Sequence, residues 1–280
     1  MTDFTGAVLA WGLPRMRDLP WRRTRDPWAV LVSEVMLQQT QATRVIPRWE
    51  AFLERFPTTA ACAAAPLGDV LREWQGLGYP RRARNLHATS RRVTELGAFP
   101  RDLPGLLALP GVGPYTARAL MAFAFELDAA VVDTNIARVY ARVAGERLTP
   151  KRVQSMADAA CPADASWAWN QCLMDVGAML CRPAVPACGE CPVQPMCAWA
   201  GGDDPDPAVG SSGVSGRQGR FDGSDRQARG RLMQALTAGP VDRAGVAEIM
   251  QRDVSVAERL VRDLAAEGLC LATPTTLTLP

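Results

Sequence analysis

"LPGVGPYTARAL", residues 109–120, sets two prolines and two glycines in a tight turn and then runs into a stretch with helical periodicity. A turn of this kind presents open backbone N–H groups at a helix N-terminus, where the helix dipole favours an anion. A plain connector between two helices uses the same residue types, so the motif alone supports both readings.

The sequence on either side is helical. Apolar residues recur at helical spacing in "PWAVLVSEVMLQQT" (27–40), "VIPRWEAFLERF" (45–56), "PLGDVLREWQGLG" (66–78) and "PRRARNLHATSRRVTEL" (80–96). The pattern continues in "TARALMAFAF" (116–125), "TNIARVYARV" (134–143) and "NQCLMDVGAML" (170–180). Prolines and glycines fall between these segments, and strand-like alternation is nearly absent. Residues 1–198 therefore read as all-α. Composition shifts at residues 200–225, whose Gly, Ser and Asp content reads as a flexible linker with little to bury. Beyond it, "RQARGRLMQALTAG", "VAEIMQR" and "SVAERLVRDLAAEG" predict three helices, and "LCLATPTTLTLP" a terminal hairpin. Residues 226–280 thus read as a winged-helix-like module, with a simple helical appendage as the alternative.

The chain of 280 residues is long enough for two modest domains with cores of their own. Its net charge is only +2, and of 31 Lys and Arg residues only Lys151 is a lysine. Arginine suits bidentate phosphate contact, although a genome rich in G and C gives the same bias. A side-chain Schiff-base enzyme would have to use Lys151, in a segment that reads as a polar helix start. No apolar run matches a bilayer span, and "MTDFTGAVLAWGLP" lacks a signal-peptide layout, so we expect a cytoplasmic, nucleoid-associated protein with no membrane partner.

Eight cysteines in such a chain point to metal or redox chemistry rather than disulfides. Cys181, Cys188, Cys191 and Cys197 follow the spacing C-x6-C-x2-C-x5-C in a proline-rich loop. Four thiolates there suit tetrahedral zinc or a [4Fe–4S] cluster. Zinc modules commonly pair two C-x2-C knuckles, and this loop has one, while its wide first gap suits a helix-end cysteine beside a larger cluster. Cys62, Cys161, Cys172 and Cys270 are scattered singly and read as core thiols.

The cysteine loop, together with the Pro-Gly-Val-Gly turn, resembles the helix-hairpin-helix DNA glycosylases of the endonuclease III superfamily. Within that group, "SEVMLQQTQATRVIPRW", "GLGYPRRARNLH", "VVDTNIARV" and "NQCLMDVGAMLC" are similar to adenine DNA glycosylases of the MutY type, over about residues 10–198. The resemblance implies a six-helix barrel domain at 16–125 and a [4Fe–4S] domain formed by 1–15 and 126–199. It also implies excision of adenine opposite 8-oxoguanine or guanine in duplex DNA. We further expect a monomer, with the C-terminal module as the place for contacts with repair proteins.

Cleaving an N-glycosidic bond requires protonation of the leaving base and stabilisation of an oxocarbenium-like sugar. Glu34 lies among Val30, Leu31 and Leu37 on a helix that Asp26 and Pro27 can start, so desolvation favours its protonated form. By itself it reads as an ordinary amphipathic-helix glutamate; by resemblance it is the general acid. Asp133 reads as the N-cap of the following helix, which should keep it ionised, and by resemblance is the second catalytic carboxylate. Asn135 and Tyr115 are implied as its hydrogen-bonding neighbours.

A base inside a duplex must be flipped out to be reached. The resemblance places Trp21, Arg22 and Gln171 at the adenine pocket, and Gln39, Thr40 and Tyr79 beside the base opposite. Gly111, Gly113 and Arg81, with Arg82 and Arg84, are the expected phosphate contacts, although the arginine run also reads as a solvated helix face.

The chain departs from that family in several places. Members usually carry a C-terminal domain that reads 8-oxoguanine through a loop with Ser and His. Here the linker and short module follow instead, the only histidine is His87, and Pro80 replaces the aromatic that often follows Tyr79. Strand-nicking relatives place a lysine where Tyr115 stands, so little or no lyase activity is expected. Two other readings are a mismatch glycosylase for thymine or another base, and an iron–sulfur redox-sensing DNA-binding regulator.

Overall fold

The computed structural model describes residues 4–202, 204–211, 213–214 and 219–280. Its chain divides into two compact units, each made of segments separated in sequence.

The first unit comprises residues 1–30, 101–107 and 112–217. It contains α1 (Phe4–Gly12) and the opening of α2 (Pro27–Leu37). As the sequence predicts, Asp26 starts α2: its carboxylate accepts from the N–H groups of Trp28 at 3.3 Å and Ala29 at 3.1 Å. The core of this unit joins Phe4 to Tyr140 and Trp169, with ring centroids 5.8 and 5.6 Å apart.

The second unit comprises residues 31–100, 108–111 and 218–280. It takes in α3 (Ala42–Arg55), α4 (Thr59–Ala64), α5 (Leu67–Glu73) and α6 (Arg81–Leu96). Phe52 packs edge-on against Phe56 and Trp74, all three buried. His87 is a core residue of α6 whose Nε2 lies 3.0 Å from the Ala65 carbonyl, and burial lowers its pKa.

The remaining helices of the first unit are α7 (Leu103–Leu107), α8 (Pro114–Phe123), α9 (Thr134–Ala144), α10 (Pro150–Ala160) and α11 (Ser166–Asp175). A π-helical segment, Val176–Leu180, prolongs α11 to Cys181. Lys151 lies in the first turn of α10, which Thr149 caps by accepting from the Arg152 N–H at 3.3 Å.

The C-terminal module has three helices, α12 (Asp225–Ala238), α13 (Val246–Met250) and α14 (Val254–Ala266). Its sheet has the order β1 (Val241–Asp242), β3 (Thr276–Thr278), β2 (Leu271–Ala272), antiparallel throughout, with Val241 opposite Leu277 and Leu271 opposite Thr278. Leu232, Leu264 and Leu277 are buried, and each full burial contributes about 2 kcal/mol before entropy is counted. The module therefore has the three helices that the sequence predicts, and a third strand beyond the expected hairpin.

Two sequence expectations need correcting. The module clusters with residues 31–100 rather than standing apart as a separate 226–280 unit: Glu267, just after α14, is bonded to Arg81 and Arg84 of α6, Pro280 to Gly68 of α5, and Arg226 of α12 to Tyr79. The segment expected to be a featureless linker is anchored over residues 206–211. Pro207, Ala208 and Ser211 are buried, and Asp206 pairs with Arg142 at 2.6 Å. One carboxylate, one hydroxyl and a small apolar turn suffice to hold it, and composition averaged over the segment hides them.

Candidate active site and metal-ligand loop

Asp133 caps α9 as expected. Its Oδ1 accepts from the Ile136 N–H at 2.7 Å, and its Oδ2 accepts from Asn135 Nδ2 at 2.8 Å. Burial nevertheless raises its pKa above the ordinary carboxylate value, outweighing those hydrogen bonds and the nearby Arg138 charge. The hydrogen bonds of the cap act in the expected direction, and desolvation opposes them. A capping residue loses solvent as well as gaining donors, and here the loss is larger.

Behind Asn135 stands a residue that the motif reading passed over. Arg138 Nη2 donates to Asn135 Oδ1 at 2.8 Å and to the Gly177 carbonyl at 2.7 Å, while Nε donates to the Cys181 carbonyl at 2.6 Å. Asp133, Asn135 and Arg138 thus form an unbroken hydrogen-bonded series ending at the first cysteine of the loop. The visible signal was Arg138 and Arg142 four apart among the otherwise apolar residues 136–144, which puts both on one face.

The four cysteines of the loop line one pocket, together with Arg142 and Trp199. None is in a disulfide. Cys181 ends the π segment, Cys188 opens a 3-10 turn, and Cys197 follows another. Arg142 Nη1 donates to Cys181 Sγ and the Ala200 N–H donates to Cys197 Sγ, both at 3.3 Å. Burial and the neighbouring thiols push the Cys188 and Cys191 thiols up. As placed, no three His, Cys, Asp or Glu side chains among the described residues stand ready to hold one metal ion. The donor set, four unbridged thiols with hydrogen-bond donors aimed at two sulfurs, suits a soft thiolate-bound metal group.

Trp21 and Gln171 are buried. Arg22 is buried too, but it is committed to Asp175: Nη1 and Nη2 donate to the two carboxylate oxygens at 2.8 and 2.9 Å. Arg17 adds a third contact to the same carboxylate at 2.5 Å. Burial by itself would raise the Asp175 pKa; the Arg22 and Arg17 contacts bring it below the ordinary value. Tyr115 is half-buried in the first turn of α8, and Gly113, its N-cap, offers no side-chain acceptor to that turn's amides.

In the second unit, Glu34 is only 5% exposed, on the Leu31–Leu37 part of α2. The helix ends there, and Gln39 is exposed with φ of 56°. Tyr79 is 38% exposed with φ of 49°, at the turn before α6. One buried residue ties both turns. Arg82 donates to the carbonyls of Val35, Met36 and Gln38 at 2.8, 3.1 and 2.6 Å, and to those of Leu77 and Gly78 at 2.8 and 3.0 Å. It also reaches Thr40 Oγ1 at 3.4 Å. Burial lowers its pKa to about 10. Arg82 is therefore not a phosphate contact: its guanidinium takes up the orphan carbonyls at the end of α2. Arg84 is also diverted, donating to the Glu267 carbonyl, and Arg81 pairs with the Glu267 carboxylate at 2.9 Å while its side chain stays 63% exposed. Gly111 has φ of +74°, and a Cβ there would come within 2.6 Å of Asn85, so the turn requires glycine on both counts.

Residues 32–162 match the family model described as HhH-GPD superfamily base excision DNA repair protein. The adenine DNA glycosylase of Mycolicibacterium smegmatis is 40% identical over 271 residues, covering 94% of this chain and 90% of the relative. The human adenine DNA glycosylase is 40% identical over 218 residues, covering 70% of this chain and 39% of the human protein. Among solved structures, a thermostable thymine-DNA glycosylase superposes with TM-score 0.68 and 31% identity, covering 71% of this chain and 95% of that one. A trapped endonuclease III–DNA covalent intermediate superposes with TM-score 0.62 and 25% identity, covering 69% and 92% respectively. No helix among the described residues is long and apolar enough to cross a membrane. The chain belongs to the adenine DNA glycosylase family, within the HhH-GPD superfamily of base excision DNA repair proteins.

Proposed function

We propose that this chain removes adenine from adenine·8-oxoguanine and adenine·guanine mispairs in duplex DNA, without nicking the strand. The observation that carries the chemistry is a carboxyl, Glu34, kept 5% exposed on an apolar helix turn, shielded from water as a group that passes a proton to a bound base must be. Glu34 gives its proton to a ring nitrogen of adenine, the C1′–N9 bond breaks, and the electron pair leaves with the base. Asp133, oriented by Ile136 and Asn135, steadies the cationic sugar until water adds its hydroxyl at C1′ and releases a proton. Tyr115 offers no amine for a Schiff base, and Lys151 lies elsewhere, in α10.

Cys181, Cys188, Cys191 and Cys197, which line one pocket, would hold a [4Fe–4S] cluster. When bound, it supplies a four-point cross-link of the loop. Trp21, Arg22 and Gln171 are proposed for the adenine pocket, Gln39, Thr40 and Tyr79 for the opposite base, and Gly111, Gly113 and Arg81 for the backbone.

The test presents purified protein with duplexes carrying A opposite 8-oxoguanine, A opposite G and T opposite G, followed by hot alkali. Strand scission at A, abolished in Glu34→Gln with duplex binding retained, is the expected result. Scission at T alone would support the thymine reading suggested by the thymine-DNA glycosylase likeness. Near-normal turnover by Glu34→Gln would remove Glu34 from the mechanism.

A further inference from the structure

The C-terminal module is fastened to the barrel helices of its own unit at three separate places. Glu267, just after α14, accepts from Arg81 at 2.9 Å and from Arg229 at 2.8 and 2.5 Å, while its carbonyl accepts from Arg84. Pro280 accepts through its carbonyl from the Gly68 N–H at 2.9 Å, and a Cβ on Gly68 would stand 2.8 Å from that oxygen. On α12, Arg226 Nη1 donates to Tyr79 Oη at 2.9 Å.

The module's own third helix is poorly suited to reading DNA. Arg259 of α14 pairs with Asp225 at 2.7 Å and Asp263 at 3.4 Å, and Glu258 pairs with Arg243 at 2.6 Å. Carboxylates interleaved with its arginines would repel phosphate. The contacts made by the module point inward, to the helices and the turn that carry Tyr79.

Tyr79 itself is an exposed non-glycine residue at positive φ, a conformation that needs surrounding contacts to hold it. Arg82 lies over its ring at 5.6 Å from one side of the turn, and Arg226 fixes its hydroxyl. Arg226 is in turn set by the Gly219 carbonyl at 3.0 Å and by the Phe221 ring at 5.6 Å, both contributed by residues leading into α12.

We propose that Arg226 is a positioning residue for Tyr79, so that the C-terminal module tunes recognition of the purine opposite the excised adenine without contacting the reacting atoms. The proposal rests on the placing of Tyr79 beside that purine under Proposed function. The mechanism is pre-organisation. A tyrosine already held in its bound pose has less freedom to lose when a base is presented to it, which strengthens mispair binding relative to paired DNA.

The test measures equilibrium binding to A·8-oxoguanine, A·G and A·T duplexes, with single-turnover base release at saturating enzyme recorded alongside. The full-length chain is compared with Arg226→Ala, Arg226→Lys, Tyr79→Phe and the double variant Tyr79→Phe/Arg226→Ala. Arg226→Ala should reduce mispair discrimination in binding by about 5-fold while leaving the saturated release rate within about 2-fold. Arg226→Lys, which keeps a donor, should restore most of it, and the double variant should be no worse than Tyr79→Phe alone. Unchanged discrimination in a folded Arg226→Ala, or losses that add in the double variant, would overturn the proposal. Because discrimination is read in binding, a wild-type protein that binds mispairs selectively but releases no adenine would refute the enzymatic reading and leave the Arg226 comparison decisive.

Discussion

Asn135 stands between Asp133 and Arg138 with its amide held at both ends: Nδ2 donates to the carboxylate and Oδ1 accepts from the guanidinium, each at 2.8 Å. The amide cannot flip without opposing donor to donor, so the orientation of Asp133 is set from the direction of the cysteine loop. Asn135→Ala removes a contact that lowers the Asp133 pKa, and the carboxyl should rise further above its ordinary value. If the step needs ionised Asp133, the acid limb of the base-release pH profile moves to higher pH. We expect release at neutral pH to fall about 10-fold or more, with duplex binding retained. An unmoved acid limb would remove this role from Asn135.

Asp175 is completely buried and held by Arg22 and Arg17. Its folded-state pKa lies below the ordinary value, so its contribution to stability is present above the unfolded-state pKa and disappears as pH falls through the folded one. Asp175→Asn should cost about 3 kcal/mol at pH 7 by leaving a buried guanidinium uncompensated. Urea unfolding at pH 7 and below pH 4 checks both parts, because the difference between wild type and variant should shrink in acid.

Arg142, with a side chain 2% exposed, links the cysteine loop to the anchored segment after it. It donates to the carbonyls of Cys181, Arg182 and Pro183, to Cys181 Sγ and to both oxygens of Asp206, and stacks 4.6 Å from the Trp199 ring. Asp206→Ala should release the 206–211 segment, open the loop to solvent and leave Arg142 buried without its counter-charge. In protein carrying the proposed cluster, the expected outcome is faster loss of iron to a chelator, followed by absorbance and iron content, together with protease cleavage near residue 206. Wild-type iron retention and protease resistance would count against the clasp.

The elements were legible wherever local chemistry decides them. Asp26 and Asp133 announce helix starts, Gly111 a turn only glycine can make, and the cysteine spacing a thiol-lined loop. What the chain hides are long-range commitments of charged side chains. Nothing near Arg82 marks it as a buried carbonyl clamp, since its neighbours Arg81 and Arg84 are exposed or half-buried and serve another segment. Asp206 sits in a stretch whose composition argues for disorder, and its partner is 64 residues away. The direction of the Asp133 shift was likewise unreadable, because it depends on how much solvent the folded protein excludes.

Arg82 supplies the strictest test of that distinction between surface and buried arginine. Its bonds run to carbonyls on both sides of a gap, the end of α2 and the turn before Tyr79. Lysine keeps the charge but offers one nitrogen where the fork offers several directed donors. Arg82→Lys should therefore leave at least two carbonyls of these turns unsatisfied and cost about 2–4 kcal/mol in urea unfolding. A phosphate-contacting arginine would behave oppositely, since lysine preserves most electrostatic attraction and exposed substitutions change stability by less than about 0.5 kcal/mol. Near-wild-type stability in Arg82→Lys, with duplex binding kept in that variant but weakened and less salt-dependent in Arg82→Ala, would return Arg82 to the DNA-contacting set.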